Sequence, residues 1–257
     1  MLSYQHAYHA GGPADLHKHI ALATLLALLT AKPRGISYLE SHAGRGVYDL
    51  SAPEALKTGE AARGIALLPE GEGPYLQALR WCRARHGPAA CPGSPMIARA
   101  LTRAQDRLHL CELHPAEHAG LKAALGGEGV AIHRRDGHQG LPALCPPTPR
   151  RGLALIDPSY EVKDEYALAA RTALATMRRW PEGVVMVWYP LLPEARHPAL
   201  TNPLREARLP GTLVHEVAFR DRPARGMTGS GLAFLNLPYG AEEALRAAWA
   251  DCAGIFA

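Results

Sequence analysis

The chain predicts an α/β fold of the Rossmann-like kind: seven strands, mainly parallel, covered by helices, with a small helical insertion. Three observations carry this. Apolar runs of strand length alternate with stretches of helical length. The central runs, Leu153-Ala154-Leu155-Ile156 and Gly183 to Trp188, are continuously apolar, as strands buried on both faces are. Acids then follow successive strands, at Glu112, Asp136 and Asp157. In an open α/β sheet that edge is where ligands bind.

Composition sets outer bounds. At 257 residues the chain can build one sizeable core, and 47% hydrophobic content fits a globular protein. We expect a single domain over 1–257. The formal charge of +4 permits a polyanionic partner without demanding one. Cys82, Cys91, Cys111, Cys145 and Cys252 form no C-x-x-C pair, so no metal site is expected and reduced thiols in a cytoplasmic protein are. The longest apolar run, Ile20 to Leu29, is too short to cross a membrane. A monomer is expected.

In chain order, Tyr4, His6, Tyr8, His9, His17, Lys18 and His19 crowd the first segment. Such side chains stack on bases and pair with phosphates, although a polar terminus often simply frays. Asp15 could cap the helix read over Leu16 to Ala31. Ile36 to Glu40 is a strand candidate running into Ser41-His42-Ala43-Gly44-Arg45-Gly46. That glycine loop lets backbone approach a ligand. Asp49 stands where a dinucleotide fingerprint wants a third small residue.

Residues 51–92 are broken by glycines and prolines and show no strand period, which predicts a helical insertion. Ser94 with Pro95 reads as a helix start with a capping serine. Leu108 to Glu112 is the second strand, and an acid there can hold ribose hydroxyls. Val130 to His133 is the third. Asp136-Gly137 after it is either a turn or an acceptor for a base amine. Gly183 to Trp188 ends at Tyr189-Pro190. Leu213 to Phe219 and Leu232 to Leu237 complete the sheet, around a basic loop from Arg220 to Gly226.

The fourth strand leads into Asp157-Pro158-Ser159-Tyr160. Pro158 cannot continue a central strand. Asp157 and the Pro158 carbonyl can accept the two N–H groups of an exocyclic amine, and Tyr160 can stack on the ring. An ordinary Asp-Pro turn with a surface tyrosine reads equally well from these four residues alone. The block resembles the Asp-Pro-Pro-Tyr motif of amino-methyltransferases that use S-adenosylmethionine (SAM), with Ser159 in place of the second proline. Acids ending the second, third and fourth of seven strands likewise describe a SAM-dependent methyltransferase.

Further segments make the resemblance specific. Leu2-Ser3-Tyr4-Gln5-His6, Lys18-His19, Ser41-His42-Ala43-Gly44, Pro92-Gly93-Ser94-Pro95, Glu112-Leu113-His114-Pro115, Asp136-Gly137 and Asp157-Pro158-Ser159-Tyr160-Glu161 resemble the RlmJ family, bacterial 23S ribosomal RNA adenine-N6 methyltransferases. The resemblance implies SAM against Lys18, His19, His42, Ser94, Glu112, Asp136, Gly137 and Asp157. It implies Asp157 as the catalytic residue, and the target adenine near Tyr4, His6, Lys18 and Tyr160. No metal is implied. A DNA adenine-N6 methyltransferase would share the central block, and a nicotinamide-dependent oxidoreductase would share the glycine loop.

Overall fold

The computed structural model describes residues 5–220 and 226–256. Tyr4 and most of the basic loop, 221–225, lie outside the described residues.

Helix α1 (Pro13–Thr30) opens with a proline at its first position, where no N–H is missed, and is buried along nearly its whole length. Strand β1 (Ser37–Glu40) follows, then a short β2 (Val47–Asp49). Next come α2 (Pro53–Thr58), α3 (Glu60–Arg63) and α4 (Pro74–His86), and a short β3 (Ala90–Pro92) that pairs antiparallel with β2. Alternation then settles in: α5 (Ser94–Leu101), β4 (Arg107–Cys111), α6 (Pro115–Leu125), β5 (Val130–His133), α7 (Gly137–Ala143), β6 (Gly152–Ile156), α8 (Glu165–Arg179) and β7 (Val184–Leu191). The described chain ends with α9 (Pro198–Glu206), β8 (Leu213–Ala218), β9 (Gly229–Leu235) and α10 (Ala241–Ala250).

Seven strands lie in the order β5-β4-β1-β6-β7-β9-β8. The pairs from β5 to β7 are parallel, and β9 runs antiparallel between β7 and β8. The chain steps from β1 outward through β4 and β5, and from β6 outward the other way. This reversal opens a crevice beyond the carboxyl ends of β1 and β6.

Three details differ from the expected elements. Strand β3 falls where only helical pieces were read, because three residues are too few to show a period. Strand β7 runs through Pro190 to Leu191 instead of stopping at Trp188. Its pairing with β6 ends at Val187, and the Pro190 carbonyl accepts from the Tyr166 hydroxyl at 2.9 Å. The imide nitrogen shares that edge, so no ladder bond is lost. Asp15 is not the cap of α1. Gly12 is, and Asp15 lies buried inside the first turn.

Candidate active site

A cavity of about 330 Å³ occupies the crevice. Its wall includes Lys18, His19, His42, Ser94, Glu112, Asp136, Gly137 and Asp157, together with His6. These residues come from the 3-10 turn before α1 (His6), from α1, the loop after β1, the start of α5 and the segments following β4, β5 and β6. Parallel strands deliver their carboxyl ends to one edge, so residues far apart in sequence meet there.

At the centre, Lys18 Nζ donates to Asp157 Oδ2 at 2.6 Å and sits 3.2 Å from Asp15 Oδ1. Burial opposes the ammonium charge, but Asp157 and Asp15 overcome it and hold the Lys18 pKa above its ordinary value. Burial likewise opposes charge on Asp15. His6, Lys18 and His19 outweigh it and hold that carboxyl well below the usual range. The other oxygen of Asp15 accepts from the Gly11 N–H at 3.0 Å and lies 3.0 Å from His6 Nε2. Two carboxylates thus face one ammonium in a shielded place, with His6 on the outer oxygen of Asp15.

Asp157 Oδ1 and the Pro158 carbonyl are engaged by no other residue among those described. His19 is buried, and both its ring nitrogens lack a hydrogen-bond partner among the described residues. Burial pushes its pKa down to about 3, so the ring is neutral. Burial, with His138 second, does the same to His42.

The other rim is tightly packed. Glu112 accepts from the Gly44 and His114 N–H groups at 2.8 and 2.7 Å. Burial nonetheless raises its pKa. Gly44 has φ 61°, and a Cβ there would stand 2.4 Å from the Tyr48 hydroxyl. A Cβ on Gly137 would stand 1.9 Å from the Ser41 carbonyl. Asp136 caps α7 by accepting from the Gln139 N–H at 3.1 Å through Oδ1, which leaves Oδ2 to a ligand.

Two sequence readings change. Ser94 does not cap α5. Its hydroxyl donates to Glu40, whose second oxygen accepts from the Tyr38 hydroxyl at 2.9 Å. Tyr160 does not line the cavity. Its φ of 57° turns the ring into the core, where it packs 4.5 Å from Tyr166 and its hydroxyl donates to the Trp188 carbonyl at 2.6 Å. In this conformation only 8% of Tyr160 is exposed, so it offers no face to a base.

Sequence reasoning missed Asp15, Tyr48, Trp188 and Met227, all of which line the cavity. Lys18 Nζ stands 5.4 Å from the Trp188 ring centroid. The available signal for Asp15 was the one acid of α1, three residues before its one lysine. Nothing local marks the others.

Glu40, fully buried at the end of β1, carries a prediction of its own. Burial pushes its pKa up to about 8, against the bonds from Ser94 and Tyr38. The native chain thus keeps a proton that the unfolded chain gives up near pH 4.5. Stability should fall as pH rises between these two values, by up to roughly 1.4 kcal/mol per unit. Glu40→Gln is expected to flatten that slope in urea unfolding followed across the same range. An unchanged slope would mean that Glu40 is ionised in the fold.

Comparisons with known proteins identify the family and the fold. Residues 33–251 match the family described as ribosomal RNA large subunit methyltransferase D, RlmJ. The ribosomal RNA large subunit methyltransferase J of Haemophilus influenzae is 37% identical, over 96% of this chain and 91% of that protein. Its Escherichia coli namesake is 35% identical with the same coverage. A crystal structure of a Legionella pneumophila protein superposes with a TM-score of 0.85 at 34% identity, covering 96% of this chain and 94% of that one. The methyltransferase domain of METTL16, at 9% identity and a TM-score of 0.51 over 84% of this chain and 65% of that one, shares the fold. The chain belongs to the RlmJ family of ribosomal RNA large subunit methyltransferases.

Proposed function

We propose that this chain transfers a methyl group from SAM to the exocyclic N6 of an adenine in 23S ribosomal RNA, with Asp157 as the catalytic residue. One observation carries the assignment of roles: among the described residues nothing engages Asp157 Oδ1 or the Pro158 carbonyl, in the same cavity as Glu112 and Asp136.

The residues fit SAM. Glu112 and Asp136 offer acceptors to ribose hydroxyls and an adenine amine, and both line the cavity. The ring nitrogens of His19, without a hydrogen-bond partner among the described residues, suit the polar amino-acid end. When bound, SAM supplies a methyl group on a positively charged sulfur. Asp157 Oδ1 and the Pro158 carbonyl accept the two N–H groups of the target amine. Its nitrogen is thereby aligned and made more tetrahedral. Lys18 on Oδ2 keeps Asp157 an acceptor, and Oδ1 takes up the amine proton once the methyl is in place.

An amine inside a stacked helix cannot enter such a cavity, so the adenine arrives flipped or unpaired. His6 and Lys18 meet it there, and Tyr4, outside the described residues, is proposed as a further contact to the base. We further read the chain as one monomeric domain, with 51–92 as an insertion, working in the cytoplasm. No helix among the described residues is long and apolar enough to cross a membrane, and no group of metal-ligating side chains occurs among them.

The test is transfer of tritiated methyl from SAM to a short 23S rRNA hairpin and to duplex DNA of matched sequence. We expect label in N6-methyladenosine from the RNA, with DNA a poor substrate. Equal rates on DNA would favour a DNA adenine methyltransferase. No transfer at all, with NAD and not SAM raising the melting temperature, would favour an oxidoreductase.

A further inference from the structure

The N-terminal segment reaches the cavity with little regular structure to hold it there. A single 3-10 turn, His6–Tyr8, precedes α1 among the described residues. Its anchoring comes from the insertion. Thr58 at the end of α2 donates from its hydroxyl to the Tyr8 carbonyl at 2.5 Å. Glu60 at the start of α3 meets His9, Oε1 to Nδ1, at 3.0 Å. That bond raises the His9 pKa, against the effect of burial. The Ile65 N–H donates to the Gly11 carbonyl at 2.8 Å. The two backbones touch here: a Cβ on Gly64 would stand 2.2 Å from the Gly11 carbonyl.

These bonds fall within one short stretch, and that stretch presents His6 and His9 to the cavity. Ordering the segment costs about 1–2 kcal/mol per residue in backbone entropy. The His6–Asp15 contact and the Gly11–Asp15 bond offset part of that cost from α1, and the insertion supplies the bonds to Tyr8, His9 and Gly11. None of the SAM-facing acceptors lies on the segment. The segment and its anchors therefore bear on the approach of the second substrate.

We propose that residues 58–65 are a clamp that seats the N-terminal segment on the cavity for RNA, with Thr58 and Glu60 as positioning residues. The inference rests on the methyl-transfer reading above and adds what holds the RNA-facing segment in place. It also assigns the helical insertion a task at the active site.

The experiment compares Thr58→Val, Thr58→Ser, Glu60→Ala and Glu60→Gln with the wild-type chain. Thr58→Val keeps the shape and loses the donor. Thr58→Ser keeps the donor. Gln at 60 can still bond to His9, and Ala cannot. Transfer to the rRNA hairpin, SAM affinity by calorimetry, and amide hydrogen exchange of residues 8–12 are measured on each. For Thr58→Val and Glu60→Ala we expect kcat/KM toward the hairpin to fall roughly ten-fold, the scale of one lost hydrogen bond to a charged or closely held group. SAM affinity should stay within about two-fold, and exchange at 8–12 should quicken while core strands stay protected. Thr58→Ser and Glu60→Gln should restore most of the rate. Wild-type rates and exchange in Thr58→Val and Glu60→Ala would overturn the clamp. A parallel loss of SAM affinity and global protection would also overturn it, by reducing these residues to a folding role. Absence of transfer by the wild-type chain would instead refute the underlying reading.

Discussion

Asp157→Ala is expected to lower methyl transfer by about 10²–10³-fold, the range for removing one preorganised polar group aimed at the reacting centre. The loss should fall on kcat, because the bond to the target amine tightens as the nitrogen becomes tetrahedral. SAM affinity should change little, since Glu112, Asp136 and Gly137 line the opposite rim. The fold should weaken only modestly: Lys18 loses its 2.6 Å partner but keeps Asp15 at 3.2 Å. Single-turnover transfer to the hairpin, alongside calorimetric SAM binding, separates these effects. A variant that retains a third or more of the wild-type rate would remove Asp157 from the chemistry.

Lys18→Met is expected to destabilise the fold by about 3–5 kcal/mol, the cost of leaving a buried charge without its partner. Two carboxylates, Asp15 and Asp157, would face each other across the space the ammonium fills. The pH dependence should change sign as well. In the wild type, the depressed Asp15 pKa contributes stability that is present above its unfolded value near 4 and is lost as pH falls through the native value. The raised Lys18 pKa contributes stability that is present below its unfolded value near 10.4 and is lost as pH rises through the native value. In the methionine variant, burial and the facing carboxylates would push the acids upward, so acidification toward pH 4 should stabilise it relative to neutral pH. Urea unfolding at both pH values measures this. A loss under about 1 kcal/mol, or an unchanged acid limb, would mean that water and not Lys18 balances Asp15.

Much of this protein can be read along one dimension. A strand buried on both faces must be continuously apolar, and Leu153 to Ile156 is. Parallel strands bring their carboxyl ends to one edge, so Glu112, Asp136 and Asp157 can be assigned to one cavity from their places after the strands. The resemblance added Lys18, His19, His42 and Ser94, and all four line that cavity. The features hidden from the sequence depend on conformation or on contacts between distant segments. Tyr160 looks like a stacking ring in sequence, and only its φ of 57° sends it into the core. Ser94 looks like a cap, and only the buried Glu40 beneath it draws its hydroxyl away. Asp15 looks like a helix start, and its partners His6, Lys18 and, through Lys18, Asp157 converge on it only when α1 docks at the β6 edge. By itself, then, the sequence determined the sheet, the edge and the acids along it, because hydrophobic burial and strand polarity are written as periodicity. The tertiary structure alone decided which side chains face the cavity and which charges pair, because those outcomes rest on backbone dihedrals and on packing between segments far apart in sequence, such as Lys18 and Asp157, 139 residues apart.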